Sequence, residues 1–291
     1  MGKNRLIIIT TSLLITITTA LFAQGEKPQN IYRVTVNSRY VIENGERTSK
    51  YYAIGQLISD SLGRLHTEID YNWKTRYPDN YRWHYFDGQT KVKTDYFFKE
   101  NLKYFKVFSH NANHQLETLS LFLVTDSDTT LAVREEHTYD DQGNRVRSIG
   151  YNQKGKRGFR VRYKYDDNNT EIQRKVRGKR AIPSDSIMSL KRVVEYDTLN
   201  RIVNELVEVQ KYDMPKETKH KFYKYDDKGN VVEKVITDKI SNKTIRKEYV
   251  YRRDNRLQGL RIYDSNDNLL DYQAWRYEIY RTANRTHRVF E

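Results

Sequence analysis

One short phrase returns along most of this chain. It is clearest as FYKYDDKGNVVEKV at 222–235, and it returns as HTYDDQGNRVRS at 137–148 and as VEYDTLNRIVNELVEV at 194–209. The tyrosine before the aspartate recurs every 26 to 31 residues, at Tyr139, Tyr165, Tyr196, Tyr225 and Tyr251. A repeat of this period indicates stacked supersecondary units, so it constrains the fold more than any other feature of the sequence.

Each copy of the phrase has the pattern of a strand, a turn and a second strand. The run Tyr223-Lys224-Tyr225 favours a strand, the next aspartate starts a turn by bonding to backbone amides, and Gly229 supplies a positive φ. We therefore predict an all-β fold, an antiparallel meander of consecutive β-hairpins that forms an extended, twisted sheet. Tight turns are expected near 60–63, 86–89, 140–144, 166–169, 197–200, 226–230, 253–255 and 264–268.

The motif Tyr-Asp-x-x-Gly-Asn/Arg, followed by an apolar residue, resembles the YD repeat of RHS-type secreted bacterial proteins. It is matched best at 225–231 and 139–145, and the resemblance covers roughly residues 55–280. In the large members of that family such hairpins wind into a shell around a toxin or contact surface glycans. This chain is much shorter and carries no toxin-like region, so the resemblance implies a short, stand-alone hairpin array.

The first residues predict export. Lys3 and Arg5 precede an uncharged, apolar and Thr-rich run from Leu6 to Ala23, which is typical of a cleaved signal peptide. An uncleaved anchor is the alternative, since a run of this length could just span a bilayer. We expect a 1–23 signal peptide, a 24–136 region with degenerate repeats, a 137–280 region of clear hairpin repeats and a 281–291 tail. The mature chain would have no transmembrane segment and would be periplasmic, bound to the cell envelope or extracellular.

Composition limits the chemistry. The chain has no cysteine, which excludes disulfides and thiolate metal sites. Only 37% of the residues are apolar, yet 24 tyrosines are present, which favours a thin, tyrosine-faced sheet over disorder. The seven histidines are scattered, and we expect neither a metal site nor a cofactor.

The strongest charge cluster lies at 154–180, where eleven Lys or Arg and three acids give a net charge of +8. Side chains two apart on a strand share a face, so this cluster predicts a basic stripe for a polyanion such as an acidic glycan or lipopolysaccharide phosphate. The alternative is a solvated face that prevents edge-to-edge aggregation. The pattern does not single out nucleic acid. The candidate residues are Arg160, Arg162, Lys164, Lys175 and Arg177.

An aromatic cluster lies at 71–87, in YNWKTRYPDNYRWHYFD. Rings side by side on a sheet can stack on the apolar faces of sugars, although such rings more often pack as core, which is the interpretation we favour. The candidate platform consists of Tyr71, Trp73, Tyr81, Trp83 and Tyr85.

These features favour an exported, non-enzymatic protein of the cell envelope that binds or scaffolds acidic polysaccharide, lipopolysaccharide or another polyanion. A lyase or hydrolase acting on acidic glycans is the alternative, since Arg82 and His84 share a strand face near tyrosines. No catalytic residue is assigned, because Glu135 and Glu136, as neighbours on a strand, would point to opposite faces. A partner or immunity protein for a secreted toxin is a third possibility.

The leader makes a direct prediction. The mature protein should begin at or near Gln24 and be recovered from periplasm or culture fluid, which mass spectrometry of its N-terminal peptide will check. Recovery of an intact Met1 from the cytoplasm would contradict export.

Overall fold

A computed structural model describes residues 32–72, 74–178, 187–212 and 214–280. The predicted signal peptide and C-terminal tail lie outside these residues. In the described part of the chain, no helix is long and apolar enough to cross a membrane. The described residues form eighteen β-strands. They are β1 (Tyr32–Glu43), β2 (Glu46–Ser59), β3 (Leu65–Tyr71), β4 (Pro78–Asp87), β5 (Thr90–Phe98), β6 (Asn101–His110), β7 (Leu116–Val124), β8 (Thr129–Tyr139), β9 (Arg145–Tyr151), β10 (Arg157–Tyr165), β11 (Glu171–Gly178), β12 (Ile187–Tyr196), β13 (Ile202–Lys211), β14 (Glu217–Tyr225), β15 (Val231–Asp238), β16 (Thr244–Tyr251), β17 (Leu257–Tyr263) and β18 (Leu269–Tyr280).

The strands form one closed antiparallel sheet. Each strand pairs with the next one along the chain, and β18 pairs with β1 to complete a barrel of eighteen strands. The predicted all-β meander of hairpins is therefore confirmed. The predicted extended, twisted sheet is wrong, because the sheet closes into a barrel, and whether it closes was not predicted. Closure pairs the two strands that would otherwise expose unsatisfied backbone groups along the edges of the sheet.

The closing seam between β1 and β18 carries its own side-chain contacts. The ladder runs from Tyr32 opposite Tyr280 to Arg39 opposite Gln273. The guanidinium of Arg39 donates two hydrogen bonds to the carboxylate of Asp271, at 2.8 and 2.7 Å. Burial opposes the ionisation of Asp271, but hydrogen bonds from Arg39 and Gln273 lower the pKa of Asp271. A bidentate pair of this kind adds geometric specificity as well as energy, so it helps to fix the register of the seam.

The turns follow the repeated phrase. In the turn after β14, the Asp226 carboxylate accepts hydrogen bonds from the amides of Lys228 and Asn230, at 3.0 and 2.8 Å. Gly229 has a φ of 83° and donates its amide to the Asp226 carbonyl. Seven of the eight predicted turns lie wholly between strands, and the eighth, at 86–89, overlaps the last two residues of β4. The same side-chain bonding to the second and fourth following amides recurs at Asp60, Asn111, Asp140, Asn152, Asp166, Asp197 and Asp264.

Four of the five recurring tyrosines join their hairpin to the preceding one through a backbone carbonyl, whereas Tyr196 donates its hydroxyl to side chains of Asp166 and Thr170. Tyr225, at the end of β14, donates its hydroxyl to the carbonyl of Ile202, the first residue of β13, at 2.7 Å. In the preceding hairpin, formed by β12 and β13, the strand register shifts next to the turn, between Glu195 and Tyr196. This shift is a β-bulge, which leaves one residue out of the ladder. The tyrosine hydroxyl therefore satisfies a carbonyl beside the bulge. The same contact is made by Tyr139 to Leu116, Tyr165 to Arg145, Tyr251 to Val231 and Tyr277 to Leu257.

One face of every strand points into the closed barrel. On β10, Phe159, Val161 and Tyr163 are buried, whereas Arg162 and Lys164 are exposed. We therefore define the Val161 side as the inner face and the Arg162 side as the outer face. The register carries this assignment from strand to strand around the sheet.

Two small clusters of buried apolar side chains occur among the described residues, in keeping with the composition. The larger cluster lies on the inner face of β7–β11, and the smaller one lies on the outer face of β1–β3. Polar side chains on the inner face are buried as deeply, with Glu135 and Glu205 each only 1% exposed. The barrel therefore depends on its backbone ladders and polar contacts more than on a large core. The clusters are Leu121, Val133, Phe159, Val161, Tyr163 and Val176, and Val34, Ile58 and Ile69.

Replacing Tyr225 with Phe should test the link between hairpins. The variant keeps the ring and leaves the Ile202 carbonyl without its side-chain donor, so we expect a loss of about 1 kcal/mol in the free energy of unfolding. Urea titration followed by circular dichroism will measure it. The matched control is Tyr212→Phe, at an exposed turn position, which should change stability much less. Equal effects from the two variants would contradict the proposed link.

Candidate functional site

The predicted polyanion residues come together on the outer face of β9–β11. Arg160 lies directly opposite Arg177, and Arg162 lies directly opposite Lys175. On the other side of β10, Arg147 of β9 lies directly opposite Arg162. Directly opposed side chains have Cβ atoms about 4.5–5.5 Å apart, so the register builds a continuous cationic surface. We define the basic patch as Arg147, Arg160, Arg162, Lys164, Lys175 and Arg177.

The basic patch is not neutralised from within the sheet. Its side chains are exposed apart from that of Arg160, which is half-buried. Repulsion from Arg162, together with partial burial and the neighbouring Arg177, lowers the pKa of Arg160. Among the residues that the structure describes, no carboxylate lies within 4.0 Å of a patch cation. The patch therefore presents its positive charge to solvent.

Sequence reasoning missed one member of the patch. Arg147 lies outside the 154–180 charge cluster and joins the patch only because β9 pairs with β10. A signal was present in the sequence, since Arg145-Val-Arg-Ser-Ile-Gly-Tyr alternates Arg147 with the small residues Ser148 and Gly150. Those two small residues are buried on the inner face, under Tyr163 and Phe159.

Most rings of the candidate aromatic platform contact other side chains of the protein, and one ring is exposed. Tyr71 and Tyr81 pack against the small outer-face cluster of Val34, Ile58 and Ile69. Tyr85 donates its hydroxyl to Asp95 at 2.9 Å, and burial, followed by the Asp95 charge, raises the pKa of Tyr85.

The remaining ring does not complete an open stack. Trp83 is 44% exposed, and its ring centroid lies 4.7 Å from that of Phe97. Trp73 lies outside the described residues. Rings that are held by hydrogen bonds and apolar contacts favour the core interpretation over a sugar platform.

The residues considered for catalysis are engaged with one another on the inner face. His84 is bonded through Nδ1 to Thr94 at 2.9 Å and through Nε2 to Glu68 at 2.7 Å. Arg82 forms ion pairs with Glu68 and Asp70, at 2.9 and 2.6 Å. Burial lowers the pKa of His84. Both ring nitrogens of His84 therefore already have partners within the protein.

The two glutamates that were considered for hydrolysis point to opposite faces, as predicted. Glu135 is buried on the inner face, whereas Glu136 is partly exposed and forms an ion pair with Arg134. Arg134 also holds the pKa of Glu136 below its usual value. The two carboxylates therefore cannot act on one bond.

A second charged constellation, which sequence reasoning missed, lies on the inner face of β12–β14. The buried Glu205 accepts hydrogen bonds from Lys221 at 2.7 Å and Tyr223 at 2.6 Å, and it forms an ion pair with Arg192. Burial alone would raise the pKa of Glu205, but these donors outweigh it and lower that pKa to about 2. Glu205 therefore stays ionised at neutral pH and holds three strands together.

Comparison with known proteins adds no family. No protein-family model and no curated protein matches the sequence. Solved structures with partial likeness include the Tc holotoxin pore of Photorhabdus luminescens (12% identity, TM-score 0.35, 82% of this chain and 14% of that one). Porin-like proteins of Bacteroides uniformis (7%, 0.41, 88% and 98%) and Bacteroides vulgatus (10%, 0.33, 84% and 97%) are also similar in part. This chain thus spans a small share of the holotoxin chain, and TM-scores this low carry no functional argument.

Glu205→Gln should destabilise the barrel by about 3–5 kcal/mol at neutral pH, because Lys221 and Arg192 lose their buried counter-charge. The folded pKa of Glu205 lies below its ordinary value of 4.5. Its stabilisation is therefore present above pH 4.5 and is lost as the pH falls toward 2. Urea titrations across that range should show a weaker pH dependence in the variant.

The control for this prediction is Glu208→Gln, which removes a partly exposed ion pair with Lys216. A pair of that kind contributes about 0–1 kcal/mol. If Glu205→Gln were no more destabilising than the control, Glu205 would not hold the strands together.

Proposed function

We propose that this protein is an exported, non-enzymatic β-barrel of the cell envelope. In this proposal it binds acidic polysaccharide, lipopolysaccharide phosphate or another polyanion through the basic patch on the outer face of β9–β11. The observation that carries the proposal is the direct cross-strand opposition of cations, Arg160 with Arg177 and Arg162 with both Lys175 and Arg147, with no carboxylate of the described residues within 4.0 Å of them.

The fold itself has no need of this arrangement. Like charges directly opposite each other on adjacent strands destabilise a sheet. Exposed charges can protect the edge of a sheet from pairing with another chain, but β9 and β10 are paired on both sides, and Lys175 lies in the part of β11 that pairs with β12. Protection of an edge therefore does not account for the patch, whereas an anionic ligand would offset the repulsion.

The rest of the proposal has separate support. The leader at 1–23 supports export. The recurring turns, in which a carboxylate accepts hydrogen bonds from backbone amides as at Asp226, support a stand-alone relative of the YD-repeat proteins. The recurring tyrosine-to-carbonyl hydrogen bonds, as at Tyr225, support the same relationship. The mutual bonding of His84, Glu68 and Arg82 favours a binding protein over a lyase.

Reversing three patch residues should abolish polyanion retention. We expect Arg160→Glu, Arg162→Glu and Lys175→Glu together to weaken binding to immobilised acidic polysaccharide by at least about tenfold, since each basic residue near an anionic surface contributes about 1 kcal/mol. Retention of the wild-type protein should also weaken between low and physiological salt, where the screening length is about 8 Å. Affinity chromatography over a salt gradient will measure both effects.

The matched control reverses three exposed turn lysines, Lys228, Lys239 and Lys243, so that both triple variants change the net charge by the same amount. The control should retain most of the binding. Equal losses from the two variants would indicate attraction to net charge alone, and binding by neither the wild type nor the control would overturn the proposed function. Incubating the wild type with the same glycans and finding new unsaturated or reducing ends would favour the lyase or hydrolase instead.

A further inference from the structure

Two lysines face each other on the inner face of the barrel. Lys234 of β15 lies directly opposite Lys247 of β16. Both side chains are partly buried, and the Lys234 ammonium lies 4.6 Å from the centroid of the Tyr223 ring. Within the described ranges, neither lysine has an Asp or Glu within ion-pair distance. The pair therefore combines partial burial, like charge and direct opposition.

The surrounding side chains add to the excess of positive charge around the two lysines. Lys221 of β14 and Arg192 of β12 are already bonded to Glu205, the carboxylate of this part of the inner face. On β17, the residue opposite Lys247 is the apolar Ile262. Glu205 is therefore already engaged by two cations, Arg192 and Lys221, and no described Asp or Glu pairs with Lys234 or Lys247.

This arrangement is costly without a counter-ion. Burial, followed by the charge of Lys221, lowers the pKa of Lys234; the charge of Glu205 opposes this shift, and Lys247 and Arg192 add to it. Partial burial disfavours the charged form of a lysine, and like charges directly across a sheet destabilise it. An anion held between the two ammonium groups would remove both costs.

We propose that the inner face of β14–β16 binds a small oxyanion of the phosphate type, held between Lys234 and Lys247. The two strands lie about 4.8 Å apart, so both ammonium groups can donate charge-assisted hydrogen bonds to one phosphate group. Tyr249 lies two residues from Lys247 on the same face and offers a further hydroxyl. The site is on the opposite face of the sheet from the basic patch and does not depend on the function proposed for that patch.

Thermal unfolding of the mature chain with and without inorganic phosphate, at constant ionic strength set with chloride, tests the site. Phosphate at about tenfold its Kd should raise the Tm of the wild type by about 3–5 °C. Lys247→Gln should raise the phosphate-free Tm, because it removes the repulsion, and should abolish the phosphate increment. The Lys243→Gln control, in the turn before β16, and the Arg160, Arg162 and Lys175 triple variant should both keep the increment.

Equilibrium dialysis of wild-type protein with labelled phosphate provides a second measurement if Lys247→Gln does not fold, with Lys234→Gln as the second variant. Saturable binding of one phosphate per chain, lost in Lys234→Gln, supports the site. No Tm increment and no saturable binding in the wild type would overturn it, as would an increment that persists in Lys247→Gln or vanishes in the outer-face triple variant. Loss of polyanion retention without loss of phosphate binding would separate the two proposals.

Discussion

This barrel depends on its continuous backbone ladders, and the side-chain contact that recurs between successive hairpins is the hydrogen bond from a tyrosine near the end of a strand to a carbonyl of the preceding hairpin. A single hairpin is marginally stable in water, and the apolar clusters here are too small to hold eighteen strands together by burial alone. The contact from Tyr225 to Ile202 explains why a tyrosine, with a ring and a donor, precedes the turn aspartate. Phenylalanine would fill the space but leave the carbonyl beside the bulge unsatisfied.

Local chemistry made most of the fold predictable from the sequence. The Asp-x-x-Gly turns, with Asn169 or Asn200 in the place of glycine, reach their positive φ as expected. His114 and Asp267 take the same conformation without a clear sequence signal. Closure was not predictable, because it requires the first and last strands to pair across more than 200 residues, and β1 carries no copy of the repeat. The bidentate contact from Arg39 to Asp271 becomes visible only when the two strands are side by side.

The two charged surfaces also differ in how far local sequence predicts them. The basic patch was largely predictable, since Arg160, Arg162 and Lys164 alternate on one strand and the predicted turn at 166–169 fixes which residues of β11 return beside them. The opposition of Lys234 and Lys247 was not predictable, because it depends on a register set by the 239–243 turn, which does not follow the repeated phrase. Arg147 is intermediate between these two examples. The alternation of the sequence around it indicated that its side chain points to the outer face, but its position outside the 154–180 charge cluster did not indicate that it joins the patch.

Closure of the barrel also changes the role that the charged side chains can have. In an open sheet, the cations of β10 and β11 could serve to keep an edge from pairing. In the barrel every strand is paired on both sides, so that role disappears while the repulsion between Arg160 and Arg177 remains. On the inner face, Glu205 shows how the fold neutralises cations where stability requires it, with one buried carboxylate joining Arg192 and Lys221. Beside Lys234 and Lys247 the described residues place no such carboxylate within ion-pair distance, and on this difference from Glu205 the proposed phosphate site rests.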